Sequence, residues 1–515
     1  MLDSDIKVFK NDIEKFAEWI FLHYTKENVR TGKVIHDGVW GTHRFETFEI
    51  ELINTPLIQR LRQIHQTAQT FLTYPSAIHT RFEHTLGVTA QIRNLINALQ
   101  DKFKTSGKKL GLLDDLLTRT LRISAILHDC GHGPLSHTSE EIYGNYPVMQ
   151  TLKKQDPFKT AGPGEILSYF IINTKIFNRI LRDIATDIDI DFELMKNAIV
   201  GFSDKPENNY KIDMIHGPFD ADKIDYLFRD GHFSGLPLQI DLDRLYYAID
   251  ISNVKSSKRL TIDWGGISSV EQILFSKMTL FPSVYHHHKV RACDCMFKGI
   301  IEYIIENKIS IKRKSKEEEI DINFLNPAHF LYFTDYDFFD WKLCEIDDNL
   351  HNLLHSLIYR RLLKRAIVIS RDTIKPECKE KIDSYVKFVQ EPVTVEGIDY
   401  YRWLAKEIWE EAGRPGLLQE IWVDCPKDPS FNEANNTWIS PLGDGQDPIP
   451  LTEFFSIDKY ADQYKQRKWR SHVFCKSEYV DKISKACVKV FREKYEIEFK
   501  QLAFQLCHVD SAMLN

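Results

Sequence analysis

Between about residues 50 and 310 the apolar positions recur three and four apart, the period of helices with one buried stripe. PLIQRLRQIH, HTLGVTAQIRNLINALQ, LLTRTLRISAILHD, GEILSYFIINT, ELMKNAIVGF and DADKIDYLFRD all carry it, and VEQILFSKMTLFPSVYHHHKVRACDCMFKGIIEYII extends it over a longer run. Upstream, Ile6, Phe9, Ile13, Phe16 and Ile20 predict an amphipathic opening helix, and the glycine-punctuated VIHDGVWGTH predicts a hairpin or loop. After about residue 310 the pattern changes. KISIKRKSKEEEIDI is a mixed charge run expected to be a solvated loop. Beyond 365 the β-branched and aromatic runs AIVIS, EIWVDC and SHVFCKS alternate with helical stretches such as YYRWLAKEIWEEA and YVDKISKACVKVFREKYEIEFKQLAFQL. The expected fold is mainly α, a helical core with a smaller C-terminal α/β or α+β lobe.

Composition changes this picture little. A chain of 515 residues with 43% apolar positions can bury a sizeable core in two or three units. Its net charge of -7 supplies no global basic field for nucleic acid or an anionic membrane, so any anion site must be local. MLDSDIKVFKND lacks a basic start followed by an apolar stretch, and no run of about 18 apolar residues occurs, which predicts a cytoplasmic protein with no membrane partner. Nine scattered cysteines, an odd number, predict reduced thiols. Cys293-x-Cys295 behind His286–His288 fits no common zinc spacing and is expected on a helix surface. TSGKKLG around Gly107 lacks the residues of a phosphate-cradling loop and reads as a connection. DIDID at 187–191 lacks the glycine and glutamate of a calcium loop and reads as an acidic turn capping the next helix. The basic YKQRKWRSH near 470 is expected to be a solvated strand edge, with nucleic-acid contact the less favoured reading.

The chemistry concentrates in ILHDCGHGPLSH, residues 126–137. Leu116, Leu117, Leu121, Ile123, Ile126 and Leu127 predict a buried helix that ends at His128-Asp129. A buried aspartate beside a buried histidine is costly unless each is paired or binds a metal. Two further candidate ligands stand in comparable settings, His84 and Asp222, each at the start of a predicted helix. Two imidazoles and two carboxylates suit Mn, Fe, Mg or Zn, with positions left for water and substrate oxygen. A purely structural His-Asp pair is the plain alternative.

RFEHTLGV, ILHDCGHGPLSH and DADKIDYLFRD together resemble the HD-domain metal-dependent phosphohydrolases, in particular the deoxynucleoside triphosphate triphosphohydrolases, whose vertebrate members add a SAM domain. The similarity extends through INTPLIQRLRQIHQTAQTFLTYPSAIHTRFEH, FTDYDFFDWKL and LIYRRLLKRA, covering about residues 33–370. EIWVDCPKDPS and RSHVFCKSEYVDKI resemble, more weakly, the extra lobe of larger bacterial members. The organisation so implied is an N-terminal helix over 1–32, an HD core over 33–310, a helical extension over 311–370 and a C-terminal lobe over 371–515.

The resemblance implies roles residue by residue. His84, His128, Asp129 and Asp222 match the metal ligands. His132, His137 and Glu140 match the catalytic polar cluster around the α-phosphate and the leaving oxygen, and Glu165 matches an orienting carboxylate; capping or first-turn roles are the alternatives for these four. The family histidine next to Glu165 is replaced by Gly164. Arg81, Lys223 and Tyr226 match phosphate contacts, Asp230 and Tyr285 sugar contacts, and Gln66 a base or sugar contact. Lys277 stands where the family has an arginine, with a plain surface lysine as the alternative. Asn54, Gln59 and Arg62 align with an activator site whose key acid is Asn54 here. The implied activity is hydrolysis of a deoxynucleoside triphosphate to deoxynucleoside and inorganic triphosphate by a homo-oligomer, a dimer or tetramer. Hydrolysis of another phosphoester (a nucleoside monophosphate, a cyclic nucleotide or single-stranded nucleic acid), or nucleotide sensing without turnover, are the other readings.

Overall fold

The hydrophobic stripes become helices, and acidic residues start several of them. The structure is a computed structural model that describes residues 2–27, 29–106, 110–314, 319–340, 347–390, 394–395, 398–427, 432–440, 447–456, 460 and 468–509. Cys344 and residues 107–109 of TSGKKLG lie outside them. The opening helix Leu2–Phe21 buries Phe9, Ile13, Phe16, Ala17 and Phe21. Asp114 caps the helix Asp115–Leu127 by accepting the Leu117 N–H at 2.8 Å, and Asp191 of DIDID caps Phe192–Ile199 by accepting the Leu194 N–H at 3.0 Å. Asp220 does the same for Ala221–Ser234, accepting the Lys223 N–H at 2.6 Å. Each such cap is worth about 1 kcal/mol.

The strands form small sheets. VIHDGVWGTH is an antiparallel hairpin of β1 (Lys33–Asp37) and β2 (Gly41–Phe45). The stretch read as wholly helical also holds β3 (Ile249–Val254) and β4 (Ser257–Asp263), turning through Lys255 and Ser256, both at positive φ. The charge run expected to be a loop is another hairpin, β5 (Ile311–Lys314) with β6 (Glu319–Ile322), because Ile311 and Ile322 have apolar surface to bury. The long helical run is broken: Ile267–Leu280 ends in a π-type turn, Phe281–Tyr285, containing Pro282, and a new helix spans His288–Glu306.

β7 (Lys364–Ile369), β10 (Trp422–Asp424) and β13 (Ser471–Cys475) form an antiparallel sheet in the order β10-β13-β7, with the short hairpin β8 (Thr394–Val395) and β9 (Ile398–Asp399) elsewhere. β13 is thus central, not a solvated edge, and all five of its residues are buried. β11 (Trp438–Ser440) runs parallel to β4 and antiparallel to β12 (Ile449–Pro450), giving the order β12-β11-β4-β3.

The chain divides into two compact units. One comprises Met1–Leu280, Ser310–Leu343 and Phe431–Ile457; the other comprises Phe281–Ile309, Cys344–Ser430 and Asp458–Asn515. The first therefore takes a segment from within the stretch assigned by sequence to the C-terminal lobe. The second has its own core, in which Ile367, Ile369, Leu404, Ile408, Val423, Val473 and Phe491 pack together. Cys293 and Cys295 lie on a helix as expected, but on its buried side, and the described cysteines are all free thiols. Among the described residues no helix is long and apolar enough to cross a membrane.

Candidate active site

Three helix ends in the first unit meet at one point. His84 stands in the first turn of Arg81–Ser106, His128 and Asp129 directly follow Asp115–Leu127, and Asp222 stands in the first turn of Ala221–Ser234. His84 Nε2 lies 3.0 Å from Asp222 Oδ1 and 3.5 Å from Asp129 Oδ2, and His128 Nε2 lies 3.5 Å from Asp129 Oδ1 and 3.9 Å from Asp222 Oδ1. One ligand atom from each of His84, His128 and Asp222 falls within 4.8 Å of the others. Both Nε2 atoms are buried without a hydrogen-bond partner among the described residues, whereas both Nδ1 atoms are engaged, His84 with Asp225 Oδ2 and His128 with the Ala125 carbonyl, each at 2.7 Å. Two rings fixed from behind, with unsatisfied nitrogens facing two carboxylates, are what a divalent metal ion requires.

Asp225, which the sequence reading passed over, anchors this arrangement. It also accepts from Arg229 at 2.8 and 2.9 Å and from the indole N–H of Trp40, while Arg229 pairs with Asp37 at 3.0 Å, so the β1–β2 hairpin braces His84. The close approach needs Gly87, where a Cβ would stand 1.8 Å from Asp225 Oδ1. Burial disfavours charge here, but neighbours decide the outcome. Burial alone would lower the pKa of His84; the carboxylates of Asp222, Asp225 and Asp129 reverse that and raise it to about 10. Burial would likewise raise Asp225, and Arg229 and His84 bring it down to about 2. The cluster is a negative field that a cation neutralises.

A second cluster adjoins the first. Arg81 bonds Asp129 Oδ2 at 2.5 Å, donates to Ser136 Oγ, and its Nη2 lies 3.0 Å from His137 Nε2. A guanidinium only donates, so His137 carries its proton on Nδ1 and gives it to Glu140 Oε2 at 2.7 Å. His137 is 67% exposed, whereas His132 is buried, with Nε2 3.1 Å from Asp129 Oδ1 and Nδ1 3.4 Å from Glu140 Oε1. Glu140 Oε1 also accepts the Gly164 N–H at 2.7 Å, and a Cβ at Gly164 would sit 2.2 Å from that oxygen. No side chain fits at 164 while Glu140 holds this place. The departure at Gly164 thus makes room for the carboxylate that joins His132 and His137.

Glu165 follows, its Oε2 accepting the Gly162 N–H at 2.7 Å and its Oε1 3.6 Å from His216 Nε2; burial pushes it up to about 8. It is both the first-turn acid and a group beside the cluster. His216 had no motif to flag it, since it ends the helix Asn209–His216 in an unremarked position.

The polar loop between the clusters is strained. Leu135 and Ser136 take φ values of +54° and +52°, which side chains disfavour, and Asp335 pins the loop by accepting the Leu135 N–H at 2.6 Å. Asp335 also accepts from the His65 backbone at 2.9 Å.

The remaining predicted contacts scatter in quality. Lys223 is bonded to Asp220 at 2.6 Å; burial would lower its pKa, but Asp220 and Asp222 raise it, so it stays charged. Burial also raises the Tyr226 pKa, keeping its hydroxyl neutral. Gln66 is buried with its side-chain carbonyl lacking a partner among the described residues. Asp230 is buried against His79 Nε2 at 2.7 Å. Lys277 is not a surface lysine: it is buried and paired with Glu433 at 2.5 Å. Tyr285 belongs to the second unit. At the aligned activator positions, Gln59 bonds the Ile53 carbonyl and accepts from Arg62, each at 2.8 Å.

A family model described as an HD associated region matches residues 240–500. The chain is 31% identical over 299 residues to an uncharacterised protein of Methanocaldococcus jannaschii, covering 56% of this chain and 53% of that protein. It is 26% identical over 287 residues to the human deoxynucleoside triphosphate triphosphohydrolase SAMHD1, covering 52% and 44%. It is 23% identical over 483 residues to the SAMHD1 homolog of Dictyostelium discoideum, covering 92% and 80%. The chain spans about half the length of the first two of these relatives.

Proposed function

This chain belongs to the HD associated family, in the HD-domain superfamily close to the deoxynucleoside triphosphate triphosphohydrolases, and on that premise we propose that it is a metal-dependent phosphohydrolase converting a deoxynucleoside triphosphate to deoxynucleoside and inorganic triphosphate. The observation that carries this reading is the pair of buried, unsatisfied Nε2 atoms of His84 and His128 facing Asp129 and Asp222. A divalent ion held by these four, of the Mn, Mg, Fe or Zn class, supplies the Lewis acidity that phosphoester hydrolysis needs.

The chain's own groups do the rest. Arg81 locks Asp129 in place and presents positive charge to the α-phosphate, while Lys223 and Tyr226 hold the departing polyphosphate. His137 faces the leaving 5′ oxygen and protonates it from Nε2 once Arg81 turns from that nitrogen to the phosphate, with Glu140 fixing the ring through Nδ1 and Glu165 placed nearby as an orienting acid. Gln66 offers its unsatisfied carbonyl to the sugar or base edge, and Asp230 is assigned to the sugar side. The same reading expects a homo-oligomer working in the cytoplasm.

The test is to incubate the purified chain with Mn²⁺ and each deoxynucleoside triphosphate and to resolve the phosphate products. Inorganic triphosphate with free deoxynucleoside is expected. Pyrophosphate with monophosphate, or binding without turnover, overturns the proposal.

A further inference from the structure

The segment Phe431–Ile457 brings the carboxylate of Glu433 against Lys277. Its Oε1 lies 2.5 Å from Lys277 Nζ, with the two side chains 10% and 9% exposed. The same carboxylate is close enough to act electrostatically on Lys223 and Tyr226. Lys277, together with the two residues assigned to the polyphosphate, Lys223 and Tyr226, therefore feels one internal anion. Its second oxygen, Oε2, is buried with no hydrogen-bond partner among the described residues. A carboxylate left half-satisfied in a buried position is costly, so something must hold it there.

The backbone does so. Glu433 lies on the short helix Asn432–Asn436, whose Glu433 carbonyl accepts from Thr437 Oγ1 at 2.7 Å, and the Thr437 carbonyl accepts the Leu451 N–H at 2.9 Å. The next residues are β11, hydrogen-bonded in parallel to β4, with Ser440 Oγ 2.9 Å from Thr261 Oγ1. Phe454 packs on Trp264 at 4.8 Å between ring centroids and Phe455 on Phe275 at 5.7 Å. Lys277 therefore meets a carboxylate presented by a sheet-anchored segment.

We propose that Glu433 is a specificity-determining residue that reads the length of the substrate's anionic tail, by occupying Lys277 against any tail long enough to reach it. The inference rests on the reading of Lys223 as phosphate-facing and extends it to Lys277, which is close enough to Lys223 to act on it electrostatically. A single phosphate held by Arg81 and Lys223 leaves the Lys277–Glu433 pair intact. A longer tail that reaches Lys277 must displace Glu433 and then places two negative charges side by side in a half-dry site. Glu433 thus weakens long tails selectively and leaves short ones alone.

The experiment titrates the full chain calorimetrically with orthophosphate, pyrophosphate and tripolyphosphate, in wild type, E433Q, K277M and the double variant. E433Q is expected to tighten tripolyphosphate about tenfold and leave orthophosphate unchanged; K277M is expected to weaken tripolyphosphate, and E433Q to gain nothing once Lys277 is gone. Melting temperature checks folding, and E433A repeats the test should E433Q not fold. If K277M weakens tripolyphosphate while E433Q changes nothing, or changes all three anions alike, the role of Glu433 falls and the phosphate site stands. If K277M is also without effect on tripolyphosphate, both fall together.

Discussion

His84 in the first unit is 1% exposed and His472 in the second is 3% exposed, yet their surroundings tune them in opposite directions. Around His84 three carboxylates outweigh burial and raise its pKa to about 10. Around His472 burial dominates, and Arg365, Arg470 and Arg291 reinforce it against the pull of Asp424, bringing the ring down to about 3. Asp424 is already committed to Arg291, 2.7 Å away, and His472 stacks on Phe474 at 5.2 Å. Burial alone therefore does not mark a functional histidine. The sign of the neighbouring charge separates these two rings, because the carboxylates around His84 favour a cation there and the arginines around His472 oppose one.

The largest expected effect comes from removing a ring from each setting. H128A should lower hydrolysis by about a thousandfold and abolish stoichiometric Mn²⁺ binding, since several kcal/mol of charge stabilisation depend on the bound ion. H472F should retain both, as read by metal analysis and kcat. Loss of the metal in H472F would end the contrast.

Next comes Gly164. G164A puts a methyl 2.2 Å from Glu140 Oε1 and must push that carboxylate off His137. Activity should fall about ten- to a hundredfold with little change in melting temperature, because the displaced group is a flexible side-chain end. Adding E140D, which withdraws the carboxylate by one methylene, should recover part of the loss in kcat. Full activity in G164A would show that the Glu140 link between the histidines is dispensable.

The smallest effect sharpens the second half of the comparison. A histidine whose pKa is depressed in the folded state contributes stability that is fully present above its unfolded value of about 6.5 and is lost as pH falls through that value toward 3. His472 should therefore cost about 2 kcal/mol of folding stability on going from pH 6.5 to pH 5. The denaturant midpoint of wild type should fall more steeply than that of H472F as the pH is lowered across this range. A pH slope identical in the two proteins would remove His472 from the account.

Much of this contrast was legible in the residue pattern. The helices that deliver His84, His128, Asp129 and Asp222 have clear stripes, and two of the three start on acidic caps, so their ends could be located, and the histidines and aspartates stand at those ends. Gly164 was visible as a departure, but its reason was not: only the path of Glu140 shows what a side chain there would strike. β3 and β4 hide inside a helical region because IDISNVKSSKRLTID is short and its turn uses Lys255 and Ser256 rather than glycine. His216 and Glu433 carry no local signal, since what gives each its meaning is a partner distant along the chain. Asp225 sat in plain view within DADKIDYLFRD, three residues beyond Asp222. Helical spacing puts it on the ring's far side, where it braces His84 from behind.

The pairing of β11 with β4 has a consequence for synthesis. The ribosome releases β4 long before its parallel neighbour exists, and most of the other unit must emerge in the interval. During that time a row of unpaired backbone groups lies open to other nascent chains. A product stopped before residue 431 keeps that edge permanently bare, so it should be recovered in the insoluble fraction when the whole polypeptide is not.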